Sequence, residues 1–317
     1  ARVAAGHVRE GHGDLHAENV CQLPERFVIY DRIEFDRGLR CLDVADDLAF
    51  LAMDLDARGF PGFGAYLAHR YAERTHDAEL PRLIRFYKGY RAVVRAKVAA
   101  LAAAERPPGS AAREELRRES LRYAQLALGY ELPPQLVLLG GLPASGKTFF
   151  SAGLARALRA ALVHSDELRK RLAGLSAETS ARADWGQGLY TADERQRTYQ
   201  ALLEDALNAL RSGRSAVIDA SFARREFRAP FLAAATRLGL PYCFVQLTAP
   251  EAVVRARLAE RRGGASDADF EIYLQERAAF EPLDEIPAEH VLALDSSTGA
   301  PEDGVSALLE RLIALQE

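Results

Sequence analysis

The sequence has few cysteines and no long hydrophobic run. Its three cysteines, Cys21, Cys41 and Cys243, are widely spaced and form no CxxC pair. Such a set predicts a reducing compartment, without a disulfide framework or a cysteine-based zinc site. No apolar stretch approaches the roughly 20 residues of a membrane-spanning helix, and no signal peptide is recognisable. We therefore expect a cytoplasmic protein without a membrane partner.

The sequence also lacks an excess of charge of either sign and has a single methionine. A net charge of −4, with 27% charged and 49% hydrophobic residues, is typical of a globular protein. This balance does not favour nucleic acid as a partner, although it leaves room for a local basic groove. The chain starts at Ala1 and its only methionine is Met53, so we expect that the natural protein has a further N-terminal portion.

Residues 141–148, Gly-Leu-Pro-Ala-Ser-Gly-Lys-Thr, match the P-loop pattern G-x-x-x-x-G-K-[ST] at every specified position. The apolar run 135–139 before it predicts a buried strand, and residues 148–160 after it predict a helix. In this arrangement, backbone N–H groups and the helix dipole converge on phosphate oxygens. The alternative, an ordinary strand–turn–helix with chance glycines, does not account for the full match.

The P-loop residues have different predicted roles in nucleotide binding. Gly141 and Gly146 allow backbone turns that a Cβ atom would block, and Ser145 belongs to the same cradle. Lys147 would reach the β- and γ-phosphates, and the Thr148 hydroxyl would ligate Mg²⁺. The sequence therefore predicts ATP and Mg²⁺ as cofactors.

After the P-loop, short apolar runs alternate with helical stretches. The runs near 162–164, 216–218, 242–247 and 290–294 add four strands to the first one. Strands separated by helices predict an α/β fold, here a parallel five-stranded sheet with helices on both faces. Such sheets bind ligands at the C-terminal ends of their strands.

Two aspartates follow predicted strands at that edge. Asp166 lies where it could accept the proton of an attacking hydroxyl, and Arg169, one helical turn later, could hold the acceptor. Alternatively, Ser165 or Asp166 caps the helix that begins at Glu167. Asp219 stands at the position of a Walker-B carboxylate and is a candidate Mg²⁺ ligand.

An arginine cluster suggests a lid. It comprises Arg255, Arg257, Arg261 and Arg262, and is followed by Gly263 and Gly264. Lid arginines of P-loop kinases neutralise the transferring phosphoryl group, and a glycine pair can serve as a hinge. We assign Arg257 and Arg261 to nucleotide binding. The alternative is a solvated basic face.

The first half carries a different phosphotransferase pattern. Residues 12–19 match H-x-D-x-x-x-x-N, the spacing of a kinase catalytic loop, and a short apolar strand ends at Asp31. In such loops the aspartate accepts the hydroxyl proton, and an asparagine five residues later holds Mg²⁺. Residues 12–19, 31–35, 43–49 and 86–95 together resemble the aminoglycoside phosphotransferase-like family.

That resemblance implies a role for each residue of the loop. It makes Asp14 the catalytic base, Asn19 and Asp31 metal ligands, and His12 and Asp47 structural braces. A complete enzyme also needs an N-lobe with a phosphate-covering loop and a strand lysine. Nothing before His12 can supply these, so this half as written should lack ATP binding of its own.

Residues 59–129 show a helical pattern, with an apolar stripe from Leu83 to Val98 that we expect to be core. The segment 129–134, Gly-Tyr-Glu-Leu-Pro-Pro, is the best candidate linker. We therefore place a truncated, mostly helical kinase-like C-lobe at 1–130 and a P-loop kinase domain at 131–317.

The second half resembles predicted P-loop kinases related to gluconate kinases and polynucleotide 5′-kinases. The resemblance rests on residues 141–148, 165–170 and 217–222 and on the arginine cluster. No N-K-x-D guanine motif or ABC-type signature occurs. The order of the two halves resembles a fused bacterial family of phosphotransferase and ATP-binding proteins.

Three functions remain open. The first is a kinase that phosphorylates a small-molecule hydroxyl, with Asp166 as base and Lys147 and a lid arginine as charge stabilisers. The second is an ATP-binding module that regulates the adjacent lobe, and the third is a 5′-hydroxyl polynucleotide kinase. Trp185, Gln187 and Tyr190 could line the acceptor pocket or simply pack.

Overall fold

The computed structural model describes residues 1–176, 191–260 and 270–316 and divides the chain into two compact units. The units span Ala1–Glu131 and Leu132–Glu317, so the division falls one residue from the predicted domain boundary. None of the helices in the described residues combines the length and apolar character that a bilayer crossing requires.

The first unit is mostly helical, with two small antiparallel sheets. Its strands and helices are β1 (Val8–Glu10), β2 (Val20–Gln22), β3 (Phe27–Ile29), α1 (Arg37–Arg40), β4 (Cys41–Asp43), α2 (Val44–Ala57), α3 (Pro61–Thr75), α4 (Leu80–Ala104) and α5 (Ala111–Glu131). β1 pairs with β4, and β2 pairs with β3. The linker that we predicted from Gly129 is helical as far as Glu131, because α5 continues to that residue.

The apolar stripe predicted on α4 is only partly core. Phe86 is 65% exposed, and Tyr90, Val93 and Val98 are each more than half exposed. The helix instead buries small residues, including Ala92, and it also buries two cations. These cations form ion pairs with α2 carboxylates, Lys88 with Asp56 at 2.9 Å and Arg91 with Asp46 at 2.6 Å. Small residues and buried ion pairs determine the contact face, which apolar periodicity alone does not reveal.

The second unit contains the predicted parallel sheet. Its elements are β5 (Leu136–Gly141), α6 (Lys147–Leu158), β6 (Ala161–His164), α7 (Ser165–Leu172), α8 (Ala192–Arg211), β7 (Ala216–Asp219), α9 (Arg225–Leu238), β8 (Tyr242–Thr248), α10 (Glu251–Glu260), α11 (Phe270–Ala278), β9 (Val291–Asp295) and α12 (Pro301–Ala314). The strand order is β6-β7-β5-β8-β9, and every pairing is parallel. The predicted fold class is confirmed.

The central strand β5 supplies both hydrophobic cores of this unit. Val137 and Leu139 pack on one face with α6 and α12. Leu136 and Leu138 pack on the other with α8 and α9. Because side chains alternate along a strand, a continuous apolar run fills both cores. The loop after β5 therefore starts from a fully buried strand at the position where the strand order changes direction.

A buried arginine connects two segments near the C-terminal edge of the sheet. Arg228 of α9 is fully buried. Its guanidinium donates to the Phe222 carbonyl after β7, at 3.0 Å, and to the Pro282 carbonyl after α11, at 2.8 Å. It also pairs with the Glu285 carboxylate. We call this arrangement the Arg228 clamp.

Replacing Arg228 should destabilise the second unit strongly. Arg228→Met removes the buried cation and its hydrogen bonds to the Phe222 and Pro282 carbonyls, and it leaves Glu285 with only its 3.5 Å contact to Arg225. Breaking one partner of a buried ion pair typically costs about 3–5 kcal/mol. Arg237→Met makes the same change at an exposed position of α9 and should alter stability by less than about 0.5 kcal/mol. Urea unfolding measures both variants, and equal losses would show that the clamp is not a major support.

The three thiols should differ in reactivity. Cys21 and Cys41 are exposed, whereas Cys243 is buried in β8 and burial raises the pKa of its thiol to about 12. Because the thiolate is the nucleophile, Cys243 should not react at pH 8 while the unit is folded. Titration with a chromogenic disulfide reagent should detect about two reactive thiols per molecule of native protein and three after denaturation. Fast release of the third equivalent from native protein would contradict the burial.

Candidate active site

The P-loop backbone requires glycine at two positions. Gly141 has φ 149° and Gly146 has φ 87°. A Cβ on Gly141 would lie 2.4 Å from the Leu247 carbonyl oxygen and 2.8 Å from Ser145 Oγ. Residue 141 must therefore be glycine, because β8 and Ser145 approach it too closely for any side chain.

The next two residues of the loop direct their polar groups towards the sheet edge. Lys147 Nζ donates to the carbonyls of Gly141 and Leu142, at 2.8 and 2.9 Å. Thr148 Oγ1 donates to Asp219 Oδ2 at 3.2 Å. Asp219 can reach the loop because β7 pairs directly with β5, with Leu139 opposite Asp219. The structure thus brings together two residues that we predicted as metal ligands.

His164 joins this group, which our sequence analysis did not predict. Its Nδ1 lies 2.9 Å from Asp219 Oδ2, and this hydrogen bond raises the pKa of His164, whereas burial opposes the shift. The two residues are paired in register at the ends of β6 and β7. The sequence did contain a signal for this pair, because the predicted strands that became β6 and β7 each end in a polar residue at the C-terminal edge of the sheet.

Asp166 and Arg169 form an ion pair on α7. Arg169 Nη1 donates to Asp166 Oδ1 at 2.9 Å, within the first turns of α7. His164 is the residue that precedes this helix, and no side-chain hydrogen bond caps it. The alternative that Ser165 or Asp166 caps the helix is therefore not what the structure shows, and Asp166 is left to line the cavity.

Two of the predicted lid arginines lie in the described region. Arg257 donates to the Ala144 carbonyl of the P-loop at 3.0 Å and to Ser296 Oγ at 2.9 Å. Arg255 is farther out, where it pairs with Glu251 and covers the Phe270 ring. Arg257 thus lies beside the P-loop, and its assignment to nucleotide binding stays a prediction. The other members of the predicted cluster fall outside the described residues: Arg261, Arg262, Gly263 and Gly264.

A cavity of about 1050 Å³ connects these groups. Its lining includes the P-loop, the ends of β6 and β7, Glu276 of α11 and the segment 295–304 after β9. Burial raises the pKa of Glu276. No sequence motif pointed to Glu276. The segment 295–304 could have been indicated by Asp295, which stands at the end of a strand. The acceptor-pocket candidates Trp185, Gln187 and Tyr190 lie outside the described residues.

The donor chemistry suits a nucleotide with Mg²⁺. Hard oxygen ligands, one hydroxyl and one carboxylate, stand together at Thr148 and Asp219, and Mg²⁺ commonly completes its shell with phosphate oxygens and water. Among residues 1–176, 191–260 and 270–316, no group of three or more acidic, histidine or cysteine side chains could hold a metal alone. Ser145 Oγ is buried with no partner among those residues, as a group awaiting a phosphate oxygen would be.

The loop predicted as catalytic in the first unit is tightly braced. Asp47 accepts hydrogen bonds from the backbone N–H groups of His12 and Gly13, at 2.6 and 3.0 Å. His12 Nε2 lies 2.8 Å from the Tyr30 carbonyl oxygen, and its Nδ1 accepts from the Asp14 N–H. The buried Arg91 donates to the Gly13 carbonyl.

The structure brings the candidate base and one candidate metal ligand onto this loop. Asn19 Nδ2 donates to the Asp14 carbonyl at 3.0 Å. The His16 ring lies 3.5 Å from the Asp14 carboxylate and lowers the pKa of Asp14. Asp31 is exposed with φ 62°, and it follows Tyr30, whose N–H donates to the Asn19 carbonyl.

Known proteins resemble the chain in two ways, through a family model and through two mycobacterial relatives. Residues 136–283 match the sequence model of the AAA domain. The chain is 32% identical over 273 residues to uncharacterized proteins of Mycobacterium tuberculosis and Mycobacterium bovis. These alignments cover 86% of this chain and 54% of each relative, so the chain spans about half the length of the curated relatives it matches. Residues 136–283 of the second unit therefore resemble an AAA domain, and the P-loop at residues 141–148 lies within the match.

Solved structures similar to part of the chain include three kinases. A sugar kinase from Janibacter is 22% identical, with a TM-score of 0.44, and covers 58% of this chain and 98% of its own. A gluconokinase from Sinorhizobium meliloti is 18% identical, with a TM-score of 0.39, and covers 57% and 91%. An APS kinase from Mycobacterium tuberculosis, bound to AMPPNP and APS, is 17% identical, with a TM-score of 0.39, and covers 57% and 99%.

Replacing Gly141 should abolish nucleotide binding without unfolding the unit. In Gly141→Ala the new methyl group meets a backbone oxygen at 2.4 Å, so the loop must shift and lose its cradle. Gly153→Ala, in the adjacent helix, places a methyl group in ordinary contact 3.6 Å from Val305 and should bind normally. Calorimetric titration with MgATP compares the variants, and unchanged binding by Gly141→Ala would contradict the predicted role of the loop.

Proposed function

We propose that the second unit is an ATP- and Mg²⁺-dependent kinase that phosphorylates a hydroxyl group of a small molecule. One observation supports this above all. The P-loop, the Thr148–Asp219 contact and the Asp166–Arg169 pair line a single cavity. Its volume, about 1050 Å³, lies at the upper end of ligand pockets and can hold a nucleotide together with an acceptor.

At one end, this chain's residues bind and neutralise the phosphates. The P-loop N–H groups and Lys147 hold the phosphate oxygens, and Arg257 adds a second cation beside the loop. Thr148 and Asp219 would hold Mg²⁺, which neutralises charge on the transferred phosphoryl group. His164 orients Asp219 by its hydrogen bond.

In the same cavity, Asp166 acts as the general base. Its carboxylate accepts the proton as the acceptor oxygen bonds to the γ-phosphorus and the bond from phosphorus to the ADP oxygen breaks. Arg169 orients Asp166 through their 2.9 Å hydrogen bond. Asp166 is therefore a catalytic residue, and Arg169 positions it.

We further propose that the first unit is an aminoglycoside phosphotransferase-like lobe. The bracing of its loop by Asp47, His12 and Arg91 supports this, because it fixes Asp14 as a catalytic base would require. In this view Asp14 acts as base, and Asn19 and Asp31 hold Mg²⁺.

Acceptor-dependent ADP formation tests the kinase proposal. The protein, with MgATP, is offered sugars, nucleosides, aminoglycosides and a 5′-hydroxyl oligonucleotide. Lys147→Ala and Asp166→Asn should each reduce turnover by about 10²–10⁴-fold, because each removes a group that acts on the reacting atoms. Asp205→Asn, at an exposed ion pair with Arg171, is the matched control and should turn over normally.

The outcomes distinguish the three functions. Turnover that depends on Lys147 and Asp166 supports the second unit as the kinase, and the productive acceptor shows whether it is a small molecule or an oligonucleotide. Turnover lost only in Asp14→Ala would assign the chemistry to the first unit instead. Tight ATP binding without turnover on any acceptor would contradict the kinase proposal and favour a regulatory module.

A further inference from the structure

Glu276 is a carboxyl group in the cavity that the proposed reaction does not use. It lies on α11 and lines the same cavity as Lys147, Asp166 and Ser221. Its Oε2 atom is shielded from solvent and has no hydrogen-bond partner in the described residues. A buried polar atom without a partner costs about 1–3 kcal/mol, so such atoms are rare unless a ligand supplies the missing partner.

The position of Glu276 is fixed by the Arg228 clamp. The Glu281 N–H, three residues after α11, donates to the Ala223 carbonyl at 2.8 Å. Arg228 binds the neighbouring Pro282 carbonyl, also at 2.8 Å. These bonds attach the end of α11 to the segment after β7. Since β7 ends at Asp219, the clamp holds Glu276 relative to the residues of the reaction.

Charges of both signs act on Glu276: those of Lys147, Arg169 and Arg195, and that of Asp166. Arg169 is itself paired with Asp166 at 2.9 Å. Two carboxyl groups, Asp166 and Glu276, line the same cavity and disfavour an anionic acceptor beside them. Glu276 also offers an unsatisfied hydrogen-bond acceptor, Oε2.

We propose that Glu276 is part of the acceptor site and that its Oε2 accepts a hydrogen bond from a second hydroxyl group of an uncharged polyol. The polyol presents its reacting hydroxyl to Asp166, and a second hydroxyl of the same molecule donates to Glu276. A mono-alcohol lacks the second contact and leaves Oε2 unpartnered, which is the basis of discrimination. This inference rests on the proposed kinase function.

The test compares the Michaelis constants of the two substrates in the full chain. The acceptor probes are ribitol, D-sorbitol, D-ribose and D-glucose, with D-gluconate as the anionic comparator and 1-propanol as the mono-alcohol. Glu276→Ala should raise the KM of the productive polyol about tenfold or more and leave the KM of ATP unchanged. Glu276→Gln keeps a carbonyl oxygen and should restore most of the lost affinity.

Two controls separate binding from folding. Glu271→Ala makes the same change at an exposed position of α11 and should leave both KM values unchanged. Urea unfolding should show that Glu276→Ala is no less stable than the starting protein, because the group it removes is unsatisfied in the folded unit.

Each result has a clear meaning. An unchanged polyol KM in Glu276→Ala, or equal shifts in the KM of ATP and polyol, overturns the role of Glu276. Turnover of D-gluconate or an oligonucleotide but of no polyol overturns the acceptor class, while the kinase proposal stands. Absence of turnover with every acceptor, including those offered above, overturns the kinase proposal and this inference together.

Discussion

The arrangement of the second unit depends on how closely β8 approaches the end of β5. A Cβ on Gly140 would meet the Phe244 ring at 2.3 Å, and one on Gly141 would meet the Leu247 carbonyl at 2.4 Å. The absence of both side chains lets the central strand remain fully buried up to the residue at which the loop begins. The loop then turns over the C-terminal edge of the sheet, where Lys147 and Thr148 start α6. Backbone packing therefore places the loop, and hydrogen bonds such as Thr148–Asp219 and His164–Asp219 then orient the polar groups of the site.

The Arg228 clamp is a second constraint on the residues around the cavity. The Arg228 clamp replaces hydrophobic packing with hydrogen bonds to backbone carbonyls of two separate segments. Burying a guanidinium is costly unless its donors are satisfied, so the clamp tolerates little displacement of either segment. As a result α11, which carries Glu276, and the end of β7, which carries Asp219, are held to one another.

Much of the second unit could be predicted from the sequence because its signals are local. The P-loop pattern, the five apolar runs and Asp219 follow from residue spacing and from the rule that parallel sheets bind ligands at their C-terminal edge. The sequence did not point to His164 or Glu276, since their positions in the site depend on strand order and on the packing of α11. The prediction that the apolar stripe of α4 is core was only partly right for a related reason. Periodicity shows which residues share a face of a helix, but not which face other elements cover.

In both units a neighbouring side chain restrains the carboxylate of the candidate base, although the neighbour differs. His16 lies beside Asp14 and lowers its pKa, whereas Arg169 donates directly to Asp166. In both cases a cationic or polar neighbour restrains the carboxylate. At Asp14, the neighbour that lowers the pKa also weakens the carboxylate as a base. Phosphoryl transfer through a loose transition state places little demand on base strength and much on orientation. A carboxylate fixed in direction therefore suits the proposed reaction.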